Sequence, residues 1–580
     1  MAALNHLVPI SLLGLFFFFL ASPPALACDA GDRAALLKIK AGFQNLGKFT
    51  SWNESTSCCT WYGVKCNPHD DEGRVTSLYY WNDGGPSDGL SGRLPDELGD
   101  LPFLSSLVLG NHPNVYGVLP LTLTRLTRLS FLYLPLNSLS GALPSFLTKI
   151  HSLTFLNLSF NSLSGALPSF LTQIRSLTFI NLSYNKFSGV IPPEFSNFPA
   201  LRTLALYANN LEGEIPSTIG NLSNLSFLYL PRNSLSGSLP SFLTQIRSLT
   251  FINLASNKFS GLIPPEFSNF PALQALALQD NNLEGEIPST MGNLSKSFLP
   301  LALLLTGNML SGNIPKELLA ANWELLDLSH NKLTGDPTAL FAANKAITYM
   351  DLSFNKLEFD MTGIEFPVKL ITLTLENNMI TGSIPAQINH LNDLLIFDVS
   401  SNQLCGIIPE FSNFPALQTL ALQANNLEGV IPSTIGNLSK SFLPLGLLLS
   451  GNMLSGNIPK ELLVANWETL DLSHNKLTGD PTALFAANKA ITYMDLSFNK
   501  LEFDMTGIDY PVKLITLTLE NNMITGSIPA QINQLSYLRT FNVGNNQLCG
   551  IIPAGPVMDR FDNTHFFPNK CLCRSKLSCL

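Results

Sequence analysis

The stretch "LTFLNLSFNSLSGALP", residues 153–168, decides the fold. Its frame returns as "LTFINLSYNKFSGVIP" from Leu177 and as "LRTLALYANNLEGEIP" from Leu201, a period of 24 residues. The frame is L-x-x-L-x-L-x-x-N-x-L-x-G-x-I-P, and about twenty such turns fit between Val75 and Pro553. The first two turns and those at Asp336 and Phe359 are irregular. In L-x-L the two leucines face one way and the residues around them the other, as in a short strand. Stacked turns set these strands side by side in a parallel sheet. The Asn that follows suits a buried turn, where its amide satisfies backbone groups leaving the ladder. The Gly supplies a permissive backbone and the Pro an extended one. No turn covers its own leucines; only its neighbours do, so the two ends need caps. The expected architecture is an α/β repeat solenoid with a concave parallel β-sheet.

The cysteines sit where caps are needed. Cys28, Cys58, Cys59 and Cys66 precede the array, and Cys549, Cys571, Cys573 and Cys579 close it. End clusters of this kind read as disulfides in a secreted chain. Zinc is not supported, because no Cys-x-x-Cys pair and no His at ligand spacing accompanies them, and no other metal or cofactor is expected. Secretion is read from "LVPISLLGLFFFFLASPPALA", residues 7–27, a short apolar core ending in a small-residue cleavage site before Cys28. Charged residues make up only 13 % of the chain, and the mean hydropathy is +0.21. No later segment is apolar enough to span a bilayer. A net charge of −9 argues against nucleic acid and anionic membranes as partners. The expected organisation is a signal peptide over 1–27, an N-terminal cap over 28–74, repeats over 75–553 and a C-terminal cap over 554–580.

The array was lengthened by duplication. "NQLCGIIP" occurs at 402–409 and again at 546–553, and Cys405 lies 144 residues before Cys549, six periods of 24. "LDLSHNKLTGDPTALFAANKAITYMDLSFNKLEFDMTGI" stands unchanged at 326–364 and 470–508, and 445–548 is a near-copy of 301–404. A smaller event precedes it: "KFSG…PPEFSNFPAL" at 186–201 recurs at 258–273, a shift of 72. Whole-turn shifts keep every leucine inward. The duplicated block carried half of the C-terminal cap with it, which leaves Cys405 without a bridging partner. It is expected to be a buried, inert thiol, with an intermolecular bridge as the alternative.

The Gly-x-Ile-Pro form resembles the plant extracellular class of leucine-rich repeat, which folds as a right-handed superhelix. "CDAGDRAALLKIKAGF…SWNESTSCCTWYGVKC" resembles the N-terminal cap of that class. The tail "FNVGNNQLCGIIPAG…FDNTHFFPNKCLCRSKLSCL" is similar to that of the polygalacturonase-inhibiting proteins, apoplastic inhibitors of pectin-degrading enzymes. That family has about ten repeats, roughly half the number here. The resemblance implies pairs Cys28–Cys58, Cys59–Cys66, Cys549–Cys571 and Cys573–Cys579. It implies a non-enzymatic protein of the plant cell wall acting in defence. Its partner would be a polygalacturonase of a pathogen or of the plant, with pectin as a further candidate. The alternative is a receptor-like module without a kinase, binding a peptide or a receptor ectodomain in development or immunity.

A partner would meet the outward positions of the strands. Phe131, Phe155, Phe179, Phe227 and Phe251 hold one strand position in five turns, and Tyr133, Tyr184, Tyr207 and Tyr229 lie near them. They are interface anchors or a sheet-stabilising stack. Asp327 and Asp351 occupy equivalent positions in adjacent turns, with Asp398 two turns on and Asp471 and Asp495 in the duplicate. These carboxylates either attract a cationic partner group or form a solvated face. Sequons for glycosylation occur at Asn53, Asn157, Asn181, Asn221, Asn224, Asn293 and Asn437, and Asn157 and Asn181 are expected to point outward from their strands. His330 and His474 have no nucleophile at a plausible site, and the Asp327–Asp351 pair lacks a pocket, so no enzyme is expected.

Overall fold

The structure, a computed structural model, describes residues 28–44, 46–67, 73–84, 89–296, 301–411, 414–440 and 445–574. The expected signal peptide lies outside the described residues, as does Cys579 and with it the expected Cys573–Cys579 bridge. The chain divides into two compact units, Met1–Glu212 and Gly213–Leu580.

The first unit opens with an α-helix, Ala30–Gly42, whose N-cap Asp29 accepts from the Asp32 N–H at 2.9 Å. Asp32 is buried, and its cost is offset by a bidentate grip on Arg74 (2.8 and 3.0 Å) and by the Val75 N–H at 2.8 Å. Beneath the helix, Phe49, Trp52, Trp61 and Tyr80 form one aromatic cluster, with Trp52 5.2 Å from Trp61 and 4.7 Å from Phe49. Disulfides join Cys28 to Cys58 and Cys59 to Cys66. The strand Val64–Cys66 runs antiparallel to Val75–Trp81, which starts the parallel ladder. Ser106–Gly110, Phe131–Tyr133, Phe155–Asn157, Phe179–Asn181 and Thr203–Ala205 follow in register, so Leu132, Leu156, Ile180 and Leu204 stack on one another in the core. Each turn then makes a second short strand, such as Ser162–Ala166 paired with Lys186–Gly189. Pro144, Pro168 and Pro192 each open a 3-10 helix on the back of the turn. In these turns the third side is a 3-10 helix, whereas Lys316–Ala320 and Lys460–Val464 of the second unit are short α-helices.

The frame Asn closes each turn. Asn161 donates to the carbonyls of Leu158 (3.1 Å) and Ser159 (3.1 Å) in its own turn and of Leu134 (2.9 Å) in the preceding one. Its carbonyl accepts the Leu139 N–H at 2.9 Å. Asn185 and Asn209 repeat the pattern. The residue before the frame Asn is left-handed, and in most turns it is not glycine, as at Phe160 (φ 53°) and Tyr184 (φ 52°); Gly307 and Gly451 take the place before Asn308 and Asn452. That conformation turns the chain sharply enough for the amide to reach back.

The second unit continues the same plan from Phe227–Tyr229 to Thr540–Asn542. Where a turn is longer than 24 residues, register is kept in both copies: Leu276 pairs with Leu303, and Leu420 with Leu447. The second ladder stops at Lys356–Leu357 and again at Lys500–Leu501, the same irregular turn in both copies. There phenylalanines replace the ladder as filling: Phe341 meets Phe359 at 5.8 Å, and Phe485 meets Phe503 at 5.8 Å. The C-terminal end pairs Cys549–Ile551 with Cys571–Cys573, and a disulfide joins Cys549 to Cys571.

Cys405 departs from its expectation. It is a free thiol and it is exposed, not buried. Its strand, Cys405–Ile407, pairs with Asn426–Glu428, so Asn426 stands where Cys571 stands beside Cys549. Strand alternation sends Leu404 into the core and Cys405 outward.

Candidate functional site

The outward strand residues include aromatics in turns from Phe131 to Phe251, in both units, and carboxylates in turns from Asp327 onward. In the first unit Phe131, Phe155 and Phe179 lie directly opposite one another and stack at 4.3 and 4.1 Å. Tyr133 packs against Phe131 at 5.9 Å and Trp81 at 6.2 Å. A second aromatic column stands on the left-handed positions: Phe160 stacks on Tyr184 at 3.9 Å, and the Tyr184 hydroxyl donates to that of Tyr207 at 2.9 Å. Phe160 is 43 % exposed. It was not among the residues anticipated, although its place just before the frame Asn marks it. In the second unit Phe227 and Phe251 stack at 5.3 Å, and Tyr229 packs on Phe227 at 6.2 Å with its side chain largely buried. Burial raises the Tyr229 hydroxyl above its ordinary pKa.

The acidic positions have a structural job. Asp327 accepts both the backbone N–H (3.1 Å) and the hydroxyl (2.7 Å) of Ser329 through one carboxylate oxygen. Asp351 does the same with Ser353 (2.9 and 2.6 Å), and Asp398 with Ser400 (3.0 and 2.5 Å). Asp471 and Asp495 repeat it with Ser473 and Ser497. This Asx turn ends the strand. The solvated-face reading fails for Asp327, which is 5 % exposed. Burial, and after it the charge of Asp351 directly opposite, hold its carboxyl up at about 6.

Asn157 and Asn181 fill the same position, and the expectation that they point freely outward is corrected. Each is 7 % exposed. The Asn157 carbonyl accepts from the Ser159 N–H and hydroxyl at 3.0 and 2.8 Å, and that of Asn181 from the Ser183 N–H at 3.0 Å. The other sequon asparagines, Asn53, Asn221, Asn224, Asn293 and Asn437, are exposed.

The two copies of the acidic region differ. In the first, Thr374 sits between Asp351 and Asp398, and Glu376 flanks them. Burial, then the charges of Asp398 and Asp351, raise the Glu376 carboxyl, and burial raises that of Asp398. In the second, Asn542 replaces the third aspartate and donates to Glu520 at 2.7 Å. His330 stacks on Phe354 at 4.2 Å and His474 on Phe498 at 4.1 Å, so both imidazoles are stacking partners at the rim. Among the described residues no helix is long and apolar enough to cross a membrane.

Comparison with known proteins agrees with this architecture. The leucine-rich repeat N-terminal domain family matches residues 29–67, and leucine-rich repeat families match 151–211, 248–270, 369–391, 416–438 and 466–487. A polygalacturonase inhibitor of Arabidopsis thaliana is 45 % identical over 112 residues, 19 % of this chain and 34 % of that protein. The chain thus spans about a third of the length of such curated relatives. The Arabidopsis receptor kinase HAESA, solved with the peptide hormone IDA and the co-receptor SERK1, superposes with a TM-score of 0.74 at 29 % identity. That match covers 94 % of this chain and 99 % of the other. The plant peptide hormone receptor RGFR1, solved with RGF2, is 33 % identical with a TM-score of 0.66, over 85 % of this chain and 81 % of that one. With a cysteine-bearing cap, in-register repeats and likeness to plant repeat ectodomains over most of both chains, the chain belongs to the plant leucine-rich repeat proteins.

Proposed function

We propose that this is a secreted recognition protein that inhibits a polygalacturonase, of a pathogen or of the plant itself, by docking it on the outward strand face in the cell wall. The observation that carries this reading is the pre-packed aromatic surface of the first unit, Phe131, Phe155 and Phe179 with Tyr133 beside them. Stacked rings lose little freedom when a partner covers them, so they suit interface anchors. The 45 % identity to a polygalacturonase inhibitor supports the enzyme as partner. Polygalacturonase activity with and without the purified protein tests it, with Phe155→Ala/Phe179→Ala as the probe. Inhibition that weakens at least tenfold through faster dissociation supports the docking face. Inhibition untouched by the double substitution sinks it.

A second reading, capture of a peptide together with a receptor ectodomain, draws on the superposition with HAESA over nearly the whole of both chains. In this reading the acidic turns from Asp327 to Asp398 meet a cationic peptide. Protein that inhibits no polygalacturonase but retains a basic peptide in a salt-sensitive manner would favour it.

A further inference from the structure

Six of the seven sequons share one tripeptide, Asn-Leu-Ser. Before folding they are equivalent substrates, and only the fold separates them. Asn157 and Asn181 lie inside strands, directly opposite each other, with Tyr133 on one flank and Ala205 on the other. Their carbonyls close the Asx turns onto Ser159 and Ser183. A sugar on Asn157 Nδ2 would leave the carbonyl that closes the turn, but it would have to emerge between the side chains of the neighbouring strands, Tyr133 and Asn181, where Asn157 is only 7 % exposed.

Asn221, Asn293 and Asn437 occupy a different place. Each is the fifth residue of a 3-10 helix: Ser217–Asn221, Ser289–Lys296 and Ser433–Lys440. All three are exposed, and the Leu that follows each is buried as Leu158 is. The buried leucine anchors the segment while the Asn projects from the back of the turn. Asn224 is exposed in the loop just after the first of these helices, and Asn53 in the N-terminal cap.

We infer that the turn sequons Asn221 or Asn224, Asn293 and Asn437, together with Asn53, carry N-linked glycans, and that the strand sequons Asn157 and Asn181 carry none. The inference rests on the secretion reading. In the transfer, the Asn Nδ2 forms a bond to the anomeric carbon of an oligosaccharide borne on a polyisoprenyl diphosphate. The bond from that carbon to the phosphate oxygen breaks, the diphosphate leaves with the electron pair, and the amide gives up one proton. A sugar at Asn157 would press against Tyr133 and Asn181 on the adjacent strands, and chains bearing one would be depleted from the folded pool. In the second unit the glycans would rise from the helical side of the turns and leave the strand face open to a partner.

Glycopeptide mapping of protein secreted by a eukaryotic host, after enzymatic deglycosylation in 18O-water, tests this. Label at Asn53, at Asn221 or Asn224, and at Asn293 and Asn437, with none at Asn157 and Asn181, is the expected result. Asn293→Gln and Asn437→Gln should each raise gel mobility by one glycan step. Ser183→Ala deletes a sequon while keeping the Ser183 N–H that Asn181 needs, and should leave mobility unchanged. Label at Asn157 or Asn181 in folded protein overturns the inference. Unlabelled Asn293 and Asn437 in protein from the medium overturn it while secretion stands. Retention in the cell without any label overturns both.

Discussion

Asp327 stands where Asn157 and Asn181 stand in other turns, and both residue types accept from the Ser two places on. The bonds are the same, but the carboxylate brings a charge into a nearly closed site beside Asp351. Its folded pKa of about 6 lies above the ordinary unfolded value near 4. Within that window the folded protein holds a proton that the unfolded chain releases. The stabilisation is therefore complete below about pH 4 and is lost as pH rises through about 6. Two pKa units correspond to about 3 kcal/mol, arising from burial first and from the charge of Asp351 second. Asp327→Asn keeps the acceptor and removes the charge. It is expected to match wild type at pH 4 and to exceed it by about 2 kcal/mol at pH 7, read from urea unfolding at the two pH values. An identical pH dependence in both proteins would refute the assignment.

Single elements show what the duplication left mismatched. Phe366 packs edge-on to Phe341 in the first copy, and Tyr510 takes its place against Phe485 in the second. The Tyr510 side chain is buried, and its hydroxyl finds no hydrogen-bond partner among the described residues. A polar group stranded in this way costs about 1–3 kcal/mol. Tyr510→Phe, with Phe366 as the internal precedent, is expected to stabilise the second unit by about 1 kcal/mol, checked by thermal unfolding. The cysteines give the opposite contrast. The Cys549–Cys571 bridge closes a span of 22 residues, for which chain entropy gives about 3 kcal/mol. Cys571→Ser should expose the last strands to limited proteolysis. Cys405→Ser should change neither the cleavage pattern nor the melting temperature, since Cys405 is unbridged and exposed.

At the scale of the molecule, a turn owes its stability to the turns on either side. Deleting residues 405–548 joins Leu404 to Cys549. The local bonds on the two sides of that junction already match: Gln403 N–H to Ile380 and Gln547 N–H to Ile524, both at 2.9 Å. Cys405 and Cys549 likewise donate to Gly382 and Gly526, both at 2.8 Å. The shortened chain is expected to fold cooperatively with unchanged strand signatures in circular dichroism and with the Cys549–Cys571 bridge formed. Aggregated product, or reduced Cys571 in peptide mapping, would count against a solenoid assembled from interchangeable turns.

The sequence by itself determined the turn, its register, the duplication and the capped ends. Each of these is a local pattern repeated often enough to read, and the Leu, Asn, Gly and Pro of the frame act within one turn or against the next. It also set the stacking of Phe131, Phe155 and Phe179, because a common frame position becomes a common strand position. Only the tertiary structure decided which polar residues are reachable. Whether Asn157 is open depends on Tyr133 and Asn181, one period away on either side. Whether Asp327 is solvated depends on Asp351 in the next turn. Cys405 turns outward, and unbridged, because its strand lies against Asn426 rather than a second cysteine. Burial is set by side chains that neighbouring turns bring together, and a frame read one turn at a time does not contain them.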